Sequence, residues 1–269
     1  MTSYLLMHES IIRLFGFFLI FLIMAILELI VPRRQLIVNK TLRWSNNLAL
    51  VILNTVILKL IFPLSAAGIA IFAATHGVGV FNSLHLSGKL VIIASIIILD
   101  LAIYLQHRIF HIVPVFWRFH KVHHVDLDYD VTTGLRFHPL EIILSMLIKF
   151  GVVLIFGIPA TAIIVFEIIL NATSMFNHGN IRLPLKIDKI LRYLMVTPDM
   201  HRVHHSVLPR ETNSNYGFNL SCWDRLFKTY VDQPKSGHIN MPIGLNQYRV
   251  SAQTQKIKNI LLLPFISNK

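Results

Sequence analysis

Two short stretches contain eight of the fourteen histidines in this chain of 269 residues. They read "QHRIFHIVPVFWRFHKVHHVD" and "MHRVHHS", and they hold His107, His111, His120, His123, His124, His201, His204 and His205. Imidazole is a common protein ligand for iron, copper, nickel and zinc. Because neutral imidazoles crowded together need a partner that accepts their lone pairs, this concentration predicts a metal site.

The spacing of these histidines indicates helices. His107 and His111 are four residues apart, and side chains at that spacing lie on one helix face. The pattern HxxHH places its three imidazoles within about 100° around a helix axis. Eight nitrogen ligands exceed what one tetrahedral or octahedral ion takes, so the sequence predicts a dinuclear site. The isolated histidines are interpreted as ordinary structural or surface residues: His8, His76, His85 and His238.

The composition places these histidines in a membrane protein. The mean hydropathy is +0.62, and only 14% of residues are charged, whereas soluble domains have about 25%. Four apolar runs are candidates for membrane helices, which need roughly 20 residues: 11–31, 49–74, 89–105 and 142–176. "GIP" interrupts the last run, which therefore predicts a hairpin of two short helices. The expected fold is all-α and polytopic, with about four transmembrane helices or hairpin halves.

Basic residues predict the orientation. "PRRQLIVNKTLRW", between the first two runs, has four Lys and Arg residues, whereas residues 75–88 have none. By the positive-inside rule the basic segment faces the cytoplasm, and both histidine stretches return to that side as a helical cap. The net charge of +12 comes from residues that flank apolar runs, which argues against a nucleic-acid partner. A single cysteine, Cys222, excludes an intrachain disulfide and a thiolate cluster.

Carboxylates accompany the histidines. Metal-bound histidines usually donate their second N–H to such groups, so Glu141 and Asp199 are tentative supporting residues of the site. The run Asp126, Asp128 and Asp130 is interpreted as a solvated loop. Asp100 falls inside an apolar run, where a charge is expected to face the bundle interior.

Several longer motifs accompany the histidine boxes: "RWSNNL", "RFHPLE", "FNHGNIRLP", "TPDMHRVHHS" and "NYGFNLSCWDRLFKTY". Together with the HxxxH and two HxxHH boxes, they resemble the fatty acid hydroxylase / sterol desaturase superfamily of membrane enzymes. The resemblance covers about residues 30 to 230. It implies one integral membrane domain (1–269) with a histidine-box core over 107–205, inside a family-like region of about 95–235.

The resemblance also implies an activity: O2-dependent hydroxylation or desaturation of unactivated C–H bonds in a fatty acyl, sterol or related membrane lipid. Members of the superfamily use two iron ions per chain, with O2 as co-substrate, and zinc can replace iron on purification. Residue by residue, the implied metal ligands are His107, His111, His120, His123, His124, His178, His201, His204 and His205.

Two positions are ambiguous under this resemblance. Arg182 stands where some members have a further histidine, which leaves open whether nine ligands suffice. His138, in "RFHPLE", fits a ligand or supporting role as well as a helix-start role, since Pro139 suits a first helical turn. The chain has no GxGxxG, CxxCH or ferredoxin cysteines, so an external electron donor is implied: a ferredoxin, a cytochrome, a reductase or a reduced pterin.

Other classes also use histidine-rich membrane sites. A metal transporter would place ligands within the spans, at membrane depth, whereas these histidines lie in the more polar stretches. A zinc-dependent membrane hydrolase needs one open metal position and a general base, and far fewer imidazoles. Both remain alternatives to the oxygenase.

Overall fold

The computed structural model describes residues 7–266, and this part of the chain contains no β-strand, only three isolated bridges. Two short 3₁₀ turns lie at Thr133–Leu135 and Leu263–Phe265. The α-helices are α1 (Glu9–Ile30), α2 (Lys40–Ile61), α3 (Ala66–Thr75), α4 (Val80–Ser83), α5 (Lys89–Ile112), α6 (Pro114–His124), α7 (Pro139–Phe156), α8 (Ala160–Asn177), α9 (Leu185–Leu191), α10 (Pro198–His204), α11 (Pro209–Thr212), α12 (Cys222–Leu226), α13 (Gly237–Asn240), α14 (Ser251–Gln255) and α15 (Ile257–Leu262).

Five helical segments are long and apolar enough to cross a membrane: α1, the consecutive α2 to α4, α5, α7 and α8. The all-α polytopic prediction is therefore confirmed, with five segments where about four were expected. The expected hairpin is present, because Gly157 ends α7 in the left-handed conformation (φ 70°) and α8 begins at Ala160. The run 49–74 forms two helices, since α2 ends before Pro63 and Ser65 caps α3.

Small residues allow the bundle to pack closely. Ala66, Ala67 and Ala70 of α3 are buried against α7 and α8, where their short side chains allow the backbones to approach. Asp100 of α5 faces inward as predicted: its carboxylate accepts hydrogen bonds from Trp223 Nε1 (2.8 Å) and the Leu220 backbone N–H (3.2 Å). This contact ties a bundle helix to the C-terminal part of the chain.

The aspartate run after α6 is buried, so its interpretation as a solvated loop was wrong. Asp126, Asp128 and Asp130 are each 0% exposed. Arg43 of α2 donates to Asp126 (2.9 Å) and to Asp130 (2.6 Å), while Asp128 accepts the backbone N–H of Val38 (2.7 Å). A guanidinium 83 residues away in sequence thus neutralises these carboxylates and fixes the cap onto α2.

The segments that carry the histidine boxes form a cap over one end of the bundle. The basic segment between α1 and α2 lies at the same end. Arg43 reaches Asp126 there, and Arg33 lies 3.0 Å from Asp199. Residues 75–88 lie at the other end, where Gly79 (φ 94°) approaches Gly157 so closely that a Cβ would clash with its backbone. The basic segment and the histidine stretches therefore share one side, opposite residues 75–88.

Candidate metal centre

The first two histidines lie at the end of a membrane helix. α5 has 24 residues and continues through His107 and His111 to Ile112, so it is about 36 Å long, compared with about 30 Å for a bilayer core. The excess of about 6 Å is roughly one helical turn, so we expect the end of α5 to emerge from the apolar layer and to present both imidazoles at the cap.

Three further elements bring the other histidines to the same place. α6 begins at Pro114, a residue type that suits the first turn of a helix, and it carries His120, His123 and His124. Thr197 caps α10 by accepting the Met200 N–H (3.3 Å), and this helix carries the third box. His178 is the residue that ends α8.

All nine histidines implied by the resemblance come together in two groups. Within each group, one ring nitrogen from every member lies within 4.8 Å of the others. The first group has five histidines and the second has four. The first group consists of His107, His111, His120, His124 and His204. The second group consists of His123, His178, His201 and His205. In residues 7–266 no other set of three or more His, Cys, Asp or Glu side chains meets this geometry.

Hydrogen bonds to oxygen fix the tautomers of several rings. The Nδ1–H of His107 donates to the carbonyl oxygen of Tyr216 (2.8 Å). The Nδ1–H of His178 donates to that of Ser174 (2.8 Å), and the Nδ1–H of His204 donates to that of Ser214 (2.6 Å). A ring that donates from Nδ1 has its lone pair on Nε2. Each of these rings therefore directs a lone pair into its group, as ligating histidines do.

Both groups contain buried ring nitrogens that have no hydrogen-bond partner. Nε2 of His107, of His204 and of His205 has no hydrogen-bond partner. Nε2 of His178 lies 3.1 Å from Nε2 of His123 and 3.1 Å from that of His201. Unpaired buried polar atoms are costly, and a bound metal ion would satisfy them together. The residues present therefore fit two ions of a metal that accepts imidazole, such as iron or zinc.

The environment keeps several of the cap histidines uncharged. Burial lowers the pKa of His178 and of His204 to about 3. Burial, followed by the neighbouring imidazoles, holds the pKa of His124 and of His205 well below its usual range. Neutral imidazole is the form that binds metal, so these rings require no deprotonation near neutral pH.

Glu141 contacts one of the nine histidines. Its Oε1 lies 2.6 Å from His120 Nδ1, and both side chains are buried. The carboxylate accepts the Nδ1–H and leaves Nε2 of His120 directed at the first group, where it has no partner. This is the geometry in which a carboxylate supports a metal-binding histidine.

Asp199 has other partners. Its carboxylate accepts from Arg33 (3.0 Å) and contacts Arg202, and His238 Nε2 lies 3.6 Å away. In the described part of the chain it makes no hydrogen bond to a histidine of the two groups. These arginines, Arg202 first, hold the pKa of Asp199 below its usual range despite burial. A role for Asp199 in the site therefore stays a prediction, without a direct contact to support it.

The two ambiguous positions lie outside both groups. His138 is the N-cap of α7: its Nδ1 accepts the Leu140 N–H (3.1 Å) and its Nε2–H donates to Leu261 (3.2 Å). The structure therefore supports the helix-start role of His138 rather than a role as a ligand or supporting residue. Arg182 is exposed and its backbone N–H bonds to Val31, so it adds no ligand.

A cavity of about 410 Å³ extends from the histidines into the bundle. His107, His120 and Glu141 line its cap end, and apolar side chains of α2, α5, α7 and α8 line most of the remainder. Binding sites for small ligands are typically about 300–1,000 Å³. The cavity therefore has room for one slender apolar molecule that reaches the first group from the membrane.

The sequence analysis missed several polar residues of the cavity wall. Among them are Asn54, Gln106, Ser145 and Lys149. Gln106 Nε2 donates to Ser145 (2.7 Å), and Asn54 Oδ1 is buried without a partner. Lys149 and its partner Glu167 had a signal in the sequence, because charges inside an apolar run usually mark a functional site.

The structure thus defines a class: a multi-pass, all-helical membrane protein with a histidine-rich pocket under a cap. A family model described as fatty acid hydroxylase matches residues 92–229. This chain therefore belongs to the fatty acid hydroxylase family. The match contains all nine clustered histidines. No solved structure matches the chain significantly.

Three curated relatives show what the family includes. The chain is 28% identical to ornithine lipid hydroxylase OlsE of Rhizobium tropici over 56% of its length, which is 45% of that protein. It is 28% identical to alkylglycerol monooxygenase of Xenopus tropicalis over 50% of its length and 29% of that protein. It is 28% identical to the fatty acid hydroxylase vlmA of a Lecanicillium species over 55% of its length, which is 44% of that protein. The matched region spans less than half of each relative.

Proposed function

We propose that this protein is an O2-dependent oxidoreductase that hydroxylates or desaturates a membrane lipid at a histidine-bound di-iron centre. The observation that carries the proposal is the position of two largely buried histidine groups at the end of an apolar cavity. The lipid hydroxylases and monooxygenases among the relatives support the same reaction class. A mono-oxygenated or dehydrogenated acyl, sterol or related lipid is the expected product.

The two groups would each hold one ion, the first with five imidazoles and the second with four. Iron bound there would supply O2 activation for oxidation of an unactivated C–H bond. The residues of the chain perform the remaining tasks. Glu141 orients His120, the backbone carbonyls of Tyr216 and Ser214 orient His107 and His204, and the apolar wall keeps water from the carbon to be oxidised.

Electrons come from a separate protein or reduced cofactor in this proposal, because the sequence has no motif for a flavin, haem or iron–sulfur group. The cap is assigned to the cytoplasmic side, where the basic segment between α1 and α2 meets anionic lipid headgroups. A donor in the cytoplasm would then reach the cap directly.

The transporter and the hydrolase fit the structure less well. Both groups lie at the cap end, and residues 7–266 contain no further group of ligands along the bundle. A transport path needs ligands at membrane depth. Nine imidazoles without a carboxylate ligand also exceed what a zinc hydrolase uses.

Comparing lipid extracts by mass spectrometry tests the function. Cells that express the protein should contain a lipid that has gained one oxygen or lost two hydrogens. Cells that express His204→Ala should lack this product. A product that persists in the His204→Ala cells would reject the proposed function.

A further inference from the structure

A line of polar residues follows α7 down the cavity. Glu141, Ser145 and Lys149 are four residues apart, so they lie on one face of the helix, and all three line the cavity. Eight residues of helix separate Glu141 from Lys149, a distance of about 12 Å. The cavity therefore has a carboxylate and histidines at the cap end and an ammonium deep in the bundle.

Lys149 has an incomplete set of partners. It donates to Glu167 Oε1 (2.6 Å), and the other oxygen of Glu167 contacts Arg13. An ammonium has three N–H donors, and within residues 7–266 Lys149 uses one. Because Arg13 also contacts Glu167, two cations share this carboxylate, and the second one, Lys149, faces the cavity.

A second donor lines the same cavity from another helix. Asn171 of α8 lies one turn after Glu167 on that helix and is exposed, and its side chain makes no hydrogen bond in the described part of the chain. A plain hydrocarbon would leave the Asn171 amide and the remaining N–H donors of Lys149 unsatisfied in an apolar layer, where each unmade hydrogen bond is costly. An intramembrane charge is by default a functional residue rather than a structural one.

From this geometry we infer that Lys149 binds an oxygen acceptor of the lipid substrate, with Asn171 beside it. This inference rests on the proposed function, since it assigns a substrate class to the same cavity. The substrate is then a chain that carries a carboxylate, ester or hydroxyl oxygen about 12 Å from the carbon that lies beside His107 and His120. Lys149 fixes the depth of the chain and thereby selects the carbon that is oxidised.

Binding to the purified full-length protein in zwitterionic detergent tests this inference without any oxidation. The probes are hexadecanoic acid, methyl hexadecanoate, hexadecanol and hexadecane, each in competition with a fluorescent fatty acid. The oxygen-bearing chains should bind about tenfold tighter than hexadecane, the factor that a hydrogen bond to a charged group provides. Tightest binding by hexadecanoic acid would identify a carboxylate, and equal binding of acid and methyl ester a carbonyl oxygen. Equal binding of hexadecane and all three oxygenated chains by the wild-type protein would overturn the inference.

Two variants sharpen the test. Lys149→Met should bind hexadecane as the wild type does and lose the preference for oxygen, whereas Lys149→Arg should keep the preference. Lys89→Met, at the exposed start of α5, is the matched control. A Lys149→Met protein that retains the full preference would overturn the inference. If the preference is present but no lipid is oxidised in cells, the proposed function fails and the Lys149 subsite stands; the opposite result rejects only the subsite.

Discussion

His123 and His124 are neighbours on α6, yet they belong to different histidine groups. Their rings are 5.3 Å apart and nearly perpendicular, at 89°. His124 joins the five-membered group and His123 joins the four-membered group. In the third box, His204 joins the first group while His201 and His205 join the second. Each HxxHH box therefore contributes to both groups and holds them side by side.

This division predicts different effects for the two neighbours. His124→Ala removes one of five imidazoles from the first group and should lower its metal content in part. His123→Ala removes one of four from the second group, so we expect almost complete loss of one ion per chain. Elemental analysis of both purified variants measures this. His76→Ala, which alters an exposed histidine outside both groups, should retain the wild-type metal content. Equal losses from His123→Ala and His124→Ala would refute the division.

Glu141 should act through His120. In Glu141→Ala the Nδ1–H of His120 loses its acceptor, and we expect metal affinity or lipid oxidation to fall about 10- to 100-fold. Glu141→Gln keeps a carbonyl oxygen at the same place and should lose less. Metal titration of the apoprotein, together with product analysis, distinguishes the two variants. A Glu141→Ala protein with unchanged metal affinity and unchanged lipid oxidation would show that the 2.6 Å contact has no role in the site.

The contact between Arg43 and the buried aspartates should dominate the stability of the cap. Arg43→Met leaves Asp126 and Asp130 buried and unpaired, and breaking such a pair costs about 3–5 kcal/mol. The apparent melting temperature in detergent should fall by about 10 °C. Lys59→Met removes a charge from an exposed position on the same helix and should change it little. Equal melting temperatures for these two variants would contradict a structural role for Arg43.

Membrane orientation can be tested with thiol labelling. The native Cys222 is exposed on α12, which follows the third histidine box, and Ser83 is exposed at the end of the bundle opposite the histidine groups. In intact cells, a membrane-impermeant maleimide should label Ser83→Cys in a Cys222→Ser background. It should label native Cys222 only after lysis. Ser206 is unsuitable as a probe because it is fully buried. Labelling of Cys222 in intact cells would place the cap outside the cytoplasm.

The sequence predicted the parts of this structure that depend on local spacing. The helical histidine boxes, the hairpin at Gly157 and the inward-facing Asp100 all follow from periodicity, a turn residue or the penalty for a charge in lipid. The burial of Asp126 could not be predicted, because its partner Arg43 lies 83 residues away. The same limit applies to Asp199, whose partner Arg33 is 166 residues away. In both cases the arginine partner lies far away in the sequence, so local spacing could not indicate the contact.

His238 agrees with its interpretation as an ordinary structural or surface residue. It is buried outside both histidine groups, with Gln233 Oε1 at 3.0 Å from its Nε2. Burial lowers its pKa to about 3. It joins neither histidine group, but its substitution would disturb packing near Asp199, so His76 is the better control.

The number of metal ions per chain tests the central claim most directly. The full-length protein, purified without chelators after growth in iron-rich medium, should contain two ions per chain by elemental analysis, predominantly iron. Any zinc should count toward the same total of two, because it competes for the same imidazoles. His107→Ala with His123→Ala, one substitution in each group, should reduce the total to below one ion per chain, because the second group loses its ion and the first is partly depleted. A wild-type content of one ion or fewer per chain would contradict the dinuclear centre.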